Sequence, residues 1–263
     1  MGCLKGKVAL VSGARQGIGR GIALCFAEEG ADVLIGDLTC GEETAREVEA
    51  IEKLGCRARA TQVDVSVREE VQGWISEGVS HMGRLDIAVA NAALNMRQPF
   101  AEAHWADVQR TVAVTQFGVF HTCQLAAQQM LAQGGGGKII VIGSIHAEHP
   151  FANNAAYDMS KGAIRQLVGV MANELARHHI NVNMINPGWI DTPSEHVTRT
   201  EEELERVARR IPWGRLGTPR EVGRCAVFLA SPDAEYITGA EIRVDGGFKV
   251  VLTLPEPGSG GQK

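Results

Sequence analysis

No two cysteines in this chain stand at Cys-x-x-Cys spacing: Cys3, Cys25, Cys40, Cys56, Cys123 and Cys225 are scattered, several of them in apolar helical runs. That spacing excludes the common zinc and dithiol motifs and leaves buried, reduced thiols. No apolar run approaches the roughly 20 residues that a membrane-spanning helix requires. The start Met1-Gly2-Cys3-Leu4-Lys5 lacks the long apolar region of a secretory signal. Gly2 is not a myristoylation signal, because Gly6 stands where Ser or Thr is needed. With a net charge of −5 and Lys and Arg spread along the chain, there is no basic footprint for nucleic acid. These absences predict a cytoplasmic protein with no nucleic-acid or membrane partner.

What is present suits one large α/β domain: 263 residues, 44% hydrophobic and 22% charged. Short β-branched runs alternate with stretches of helical period, which predicts repeated βαβ units and a parallel sheet. The predicted strands are seven: Lys7 to Ser12, Asp32 to Asp37, Arg57 to Asp64, Leu85 to Ala90, Lys138 to Gly143, Ile180 to Ile185 and Glu241 to Val244. Helices are expected over Gly17 to Glu29, Glu42 to Leu54, Arg68 to His81, Trp105 to Ala132, Ala155 to His178, Thr200 to Arg210 and Arg220 to Ala230. Gly134 to Gly137 reads as a flexible turn before a strand.

Ser12-Gly13-Ala14-Arg15-Gln16-Gly17-Ile18-Gly19 follows the first strand and opens a helix. Its glycines let backbone approach a pyrophosphate, and the helix start offers free N–H groups to phosphate charge. The spacing Gly-x3-Gly-x-Gly departs from the commoner Gly-x-Gly-x-x-Gly, so the context between strand and helix carries the argument. Asp37 ends the second strand, where an acid accepts hydrogen bonds from ribose hydroxyls and repels a 2′-phosphate; the expected cofactor is NAD. Arg15 could lend charge to a phosphate. Asp64 and Asn91 end the next two strands; they fit a role near the adenine and cofactor or that of turn-formers.

Tyr157 and Lys161 stand at i and i+4 on one helical face, and Ser144 follows the apolar run Ile139 to Ile142. A phenol titrates near ~10, and an adjacent cation favours phenolate, so Lys161 is expected to make Tyr157 an acid or base nearer neutrality.

Gly13, Gly17 and Gly19, Asp64-Val65, Asn91-Ala92-Ala93, Ser144, Tyr157-x3-Lys161 and Pro187-Gly188 together resemble the short-chain dehydrogenase/reductase family. The resemblance runs in order from Lys7 to Asp245-Gly246-Gly247. It implies a single Rossmann-type α/β domain over residues 1–254, a doubly wound parallel seven-stranded sheet with helices on both faces; the Pro- and Gly-rich composition of 255–263 predicts a flexible tail. Tyr157 is then the acid/base, Lys161 lowers its pKa and holds the nicotinamide ribose, and Ser144 positions the substrate oxygen. Gly13, Arg15, Gln16, Gly17, Ile18, Gly19, Asp37, Leu38, Asp64, Val65, Asn91, Ala92, Tyr157, Lys161, Pro187, Gly188, Ile190 and Thr192 are the implied cofactor-binding residues. Family members are often tetramers paired through the helices matching Trp105 to Ala132 and Ala155 to His178, so a homotetramer or homodimer is expected.

One position departs from the family. Val114-Thr115-Gln116-Phe117-Gly118-Val119-Phe120 places Thr115 where the family has Asn, whose implied role is to hold a water in a proton relay behind Lys161. On the substrate side, Ile145-His146-Ala147-Glu148-His149-Pro150 is similar to the Ser-x-His-Glu stretch of bacterial glucose dehydrogenases, with the Glu one place later. His146, Glu148, His149 and Asn154 could bind a sugar or polyol, and Trp189 or Trp213 could wall the pocket. No metal is expected, since the His146 and His149 spacing lacks a nearby acid cluster. The charged segment Thr198 to Arg210 reads as part of a lid. Two other readings fit these residues: an NADPH-dependent keto reductase acting on 3-oxoacyl thioesters, and a cofactor-binding regulator that has lost activity at Thr115.

Overall fold

The computed structural model describes residues 2–250, and the expected tail over 255–263 lies outside them. Seven strands form one parallel sheet in the order β3-β2-β1-β4-β5-β6-β7. They are β1 (Val8–Ser12), β2 (Asp32–Asp37), β3 (Ala58–Gln62), β4 (Ile87–Ala90), β5 (Gly137–Ile142), β6 (Ile180–Pro187) and β7 (Glu241–Val244). The central strands are apolar throughout because both faces are covered. Val8 and Leu10 point into one core with Trp74, Val119 and Ile164, while Ala9 and Val11 point into the other with Ile22, Phe26, Ile51 and Val222.

Two helical layers supply those cores. One contains α3 (Arg68–Met82), α5 (Gly118–Gln133) and α6 (Ala155–Leu175); the other contains α1 (Gly17–Glu28), α2 (Glu42–Lys53) and α9 (Pro219–Ala230). The doubly wound arrangement expected from the sequence is therefore what forms. β1 lies between β2 and β4, so the chain crosses sides there and leaves a crevice at the carboxyl ends of the strands.

The helix expected over Trp105 to Ala132 is not continuous. It comprises α4 (Trp105–Val112), a π-helical turn over Ala113–Phe117, and α5. One extra residue per turn there re-aims the side chains around Thr115. A further helix that the sequence pattern does not announce is α7 (Pro193–Thr198), which precedes α8 (Glu201–Ala208). Thr192 and Pro193 occupy the N-cap and first helical positions of α7, a start signal too short-lived to set up a period. Thr200 caps α8 through a reciprocal bond with Glu203, so that helix starts one residue later than expected.

Candidate active site

The glycine loop is shaped by close contacts. Gly13 and Gly17 have φ of +65° and +58°, and a Cβ on Gly13 would come within 2.9 Å of Ala92 Cα. A Cβ on Gly19 would meet the Gly13 carbonyl at 2.2 Å. Gly19 thus seats α1 on the loop and does not line the crevice. No side chain caps α1 and its first turn carries no acid, so its leading N–H groups are left for a phosphate. The residues present fit a dinucleotide on that ground.

Asn91 braces this loop from β4. Its side-chain amide donates to the carbonyls of Ser12 and Gly13 at 2.9 and 3.0 Å, and its backbone N–H donates to the Ser12 hydroxyl. At the end of β2, Asp37 accepts the Arg15 backbone N–H at 3.0 Å. The Arg15 guanidinium lies 3.6 Å from Asp37 and also pairs with Glu43. Gly13, Arg15, Gln16, Gly17, Ile18, Asp37, Leu38, Asp64, Val65, Asn91, Ala92 and Thr192 all line one cleft of about 710 Å³. Within that lining the Asp64 carboxylate is oriented by Ser66, which donates to one oxygen, and by Arg110, which donates to the other.

The cleft continues into a cavity of about 520 Å³ lined by Ser144, Tyr157, Lys161, Pro187, Gly188, Ile190, His146 and Trp189. Ile18, Asn91 and Thr192 line both spaces. Burial pushes the Tyr157 phenol up to about 12, and the Ser144 hydroxyl beside it pulls the other way. Burial lowers the Lys161 ammonium to about 7. Its Nζ donates to the Ile142 carbonyl at 2.8 Å and lies 5.4 Å from the Tyr157 ring centre. Loss of hydration is the leading cause for both groups, and the Lys161 charge is not among the causes that shift Tyr157.

Thr115 has backbone partners on both sides of its hydroxyl. Its buried hydroxyl donates to the Leu94 carbonyl at 2.8 Å and accepts the Leu94 N–H at 2.9 Å. The side chain fixes the loop after β4 and commits its one donor proton there.

Among the expected substrate residues, His146 and Trp189 line the cavity. The His146 Nδ1 is bonded to Asp158, and its ring stacks on Phe151 and meets Tyr157 edge-on. Asn154 lines an adjoining space of about 330 Å³ and accepts from Asn95 Nδ2 at 2.8 Å. Glu148 lines neither space. It pairs with Arg243, which holds its carboxyl below the usual range, and Lys249 donates to its carbonyl. His149 packs edge-on against Phe151 and lines neither space. Trp213 is exposed.

Sequence reasoning missed Asn95, Arg97, Asp158, Glu195 and Arg199. The available signal was position alone: a polar run at the end of β4, and a charged run after Pro187-Gly188. Among the described residues no cluster of three or more His, Cys, Asp or Glu is placed to hold a metal, and no helix is long and apolar enough to cross a membrane.

A family model described as enoyl-(acyl carrier protein) reductase matches residues 13–249. A short chain dehydrogenase/reductase of Aspergillus oryzae is 40% identical over 254 residues, covering 94% of this chain and 97% of that protein. An L-rhamnose 1-dehydrogenase (NAD(P)(+)) of a Sphingomonas species is 37% identical, covering 96% and 100%. A crystal structure of a short-chain type dehydrogenase/reductase from Mycobacterium marinum superimposes with a TM-score of 0.88 at 34% identity, covering 93% and 96%. Fold, motif order and these relatives agree, and the chain belongs to the short-chain dehydrogenase/reductase family.

Proposed function

We propose that this oxidoreductase is an NAD-dependent dehydrogenase that oxidises a secondary carbinol of a sugar, polyol or alcohol, with Tyr157 as its acid/base. The observation that carries the reading is continuity: a lining shared through Ile18, Asn91 and Thr192 joins Asp37 at one end to Ser144, Tyr157 and Lys161 at the other. When bound, the nicotinamide cofactor supplies the hydride acceptor or donor.

The protein's own part is proton handling and positioning. Tyr157 accepts the carbinol proton as the substrate is oxidised, and returns it in the reverse direction. Ser144 holds the substrate oxygen beside the phenol and favours its ionised form. Lys161 stands beside the phenol, its Nζ 5.4 Å from the Tyr157 ring centre, where a cation favours the phenolate. Leu94 lines the cavity and is tied by Thr115 to the π-turn.

Asp37 supports NAD over NADP. A 2′-phosphate there would face a carboxylate, and the nearest cation, Arg15, is already shared between Asp37 and Glu43. Six unpaired cysteines support a reducing, cytoplasmic setting. Assembly into a homotetramer or homodimer is supported by apolar side chains left exposed on the π-turn, α5 and α6, namely Phe117, Phe120, Met159 and Val170.

The test is the rate of NAD and NADP reduction across sugars, polyols and secondary alcohols. NAD is expected to be preferred by on the order of 100-fold in kcat/KM, the scale of a like-charge penalty. Preference for NADP would overturn the use of Asp37 and favour the keto reductase reading. NADH binding without turnover on any substrate would favour the regulator.

A further inference from the structure

The space beside Tyr157 has an uneven charge. Arg97, on the loop after β4, lines both the catalytic cavity and the smaller adjoining one, as do His146 and Trp189. Arg199, at the end of α7, lines the smaller one with its guanidinium stacked 4.6 Å over the Trp189 ring. Glu195 is the one acid among the described residues lining either space. It pairs closely with Arg199 and reaches Arg97 only at 3.9 Å. Two arginines therefore share one carboxylate, and that carboxylate belongs to α7.

Arg97 is close enough for its charge to favour the Tyr157 phenolate. An anion held by Arg97 would sit within the same small molecule as a carbon reacting at Tyr157. Polar side chains complete the lining: Asn95 lines the catalytic cavity and donates to Asn154, which lines the adjoining space, and His146 is fixed by Asp158.

We infer that the substrate is a hydroxy acid of sugar type, whose carboxylate is taken by Arg97 and Arg199 in place of Glu195. This rests on the dehydrogenase reading above and narrows it to anionic substrates. Arginine suits carboxylate capture in two ways: its planar fork meets a carboxylate through two parallel hydrogen bonds, and it stays charged when partly buried. Glu195 acts as an internal stand-in that keeps the two cations from repelling each other and yields to the incoming acid.

Calorimetric titration of four- to six-carbon aldonates, each against the alditol of the same configuration, into the NADH-bound enzyme tests this directly. At least one aldonate is expected to bind about 10- to 100-fold more tightly than its alditol, the range of hydrogen bonds to charged groups. Arg97→Met is expected to remove most of that difference. Arg199→Met is expected to do the same, with Arg199→Lys restoring part of it. Glu195→Gln is expected to tighten aldonate binding by removing the competing carboxylate, an effect that loss of structure would not give. Equal binding of acid and alditol, no binding of any aldonate, or a preference that survives both arginine substitutions overturns the inference. Rates of NAD reduction with the same pairs keep the two claims apart. Aldonate binding without reduction of NAD contradicts the dehydrogenase reading and leaves the anion site standing; reduction without preference for the acid does the reverse.

Discussion

Lys161 places a cation where the protein resists one. The side chain is 1% exposed, and its one hydrogen bond is to the Ile142 carbonyl. Burial brings its pKa from 10.5 to about 7. Between those values the unfolded chain binds a proton that the folded chain does not, so stability rises with pH across that window; below about 7 the full cost is present. Lys161→Met keeps the bulk and removes the charge. Its benefit, at roughly 1.4 kcal/mol per pKa unit, is offset in part by the carbonyl left unpaired, and a net gain of about 2 kcal/mol is expected at pH 6. Urea unfolding at pH 6 and pH 10 checks this: the variant is expected to be the more stable at pH 6, with the gap closing at pH 10. A gap that does not change with pH would mean that charge burial is not its source. Tyr157, Lys161 and Ser144 were legible in the sequence because helical spacing and a strand end place them with no reference to distant residues. Glu148 was not, since its partner Arg243 lies 95 positions away and only folding brings them together.

At the scale of elements, the segment from Trp105 to Gln133 shows what periodicity can and cannot reveal. Val119, Cys123 and Ala126 keep a helical pattern, and Val114 lies five residues before Val119 in a stretch apolar enough to read as one helix. That five-residue step is the one the π-turn makes, since it adds one residue to a single turn. The consequence is Thr115, buried and bonded at both ends of its hydroxyl to Leu94. Thr115→Val keeps the shape and leaves the Leu94 N–H and carbonyl without partners, at a cost of about 2 kcal/mol. A melting temperature lower by about 4–8 °C is expected, with Thr115→Ser close to wild type. Unchanged melting of the Val variant would show that these bonds do not hold the loop. Strands β2 and β7 fall where the sequence places them; α7 was missed because six residues, Pro193–Thr198, carry too little period.

For the whole molecule, strand order decides where chemistry is possible. β1 at the centre, flanked by β2 and β4, opens the crevice in which the glycine loop meets Asp37. β5 and α6 then bring Ser144, Tyr157 and Lys161 to its far end, although β1 and α6 are more than a hundred residues apart. The sequence contained the strands and motifs; their meeting in one continuous space depends on the parallel order, which no local pattern encodes. That meeting is the central claim, and Tyr157→Phe tests it with one oxygen atom removed. On the best substrate of the panel, kcat is expected to fall by about 10²- to 10⁴-fold, the usual contribution of a positioned acid/base, while NADH binding stays measurable by fluorescence titration. A Tyr157→Phe enzyme that binds NADH and turns over within a few-fold of wild type would contradict the account.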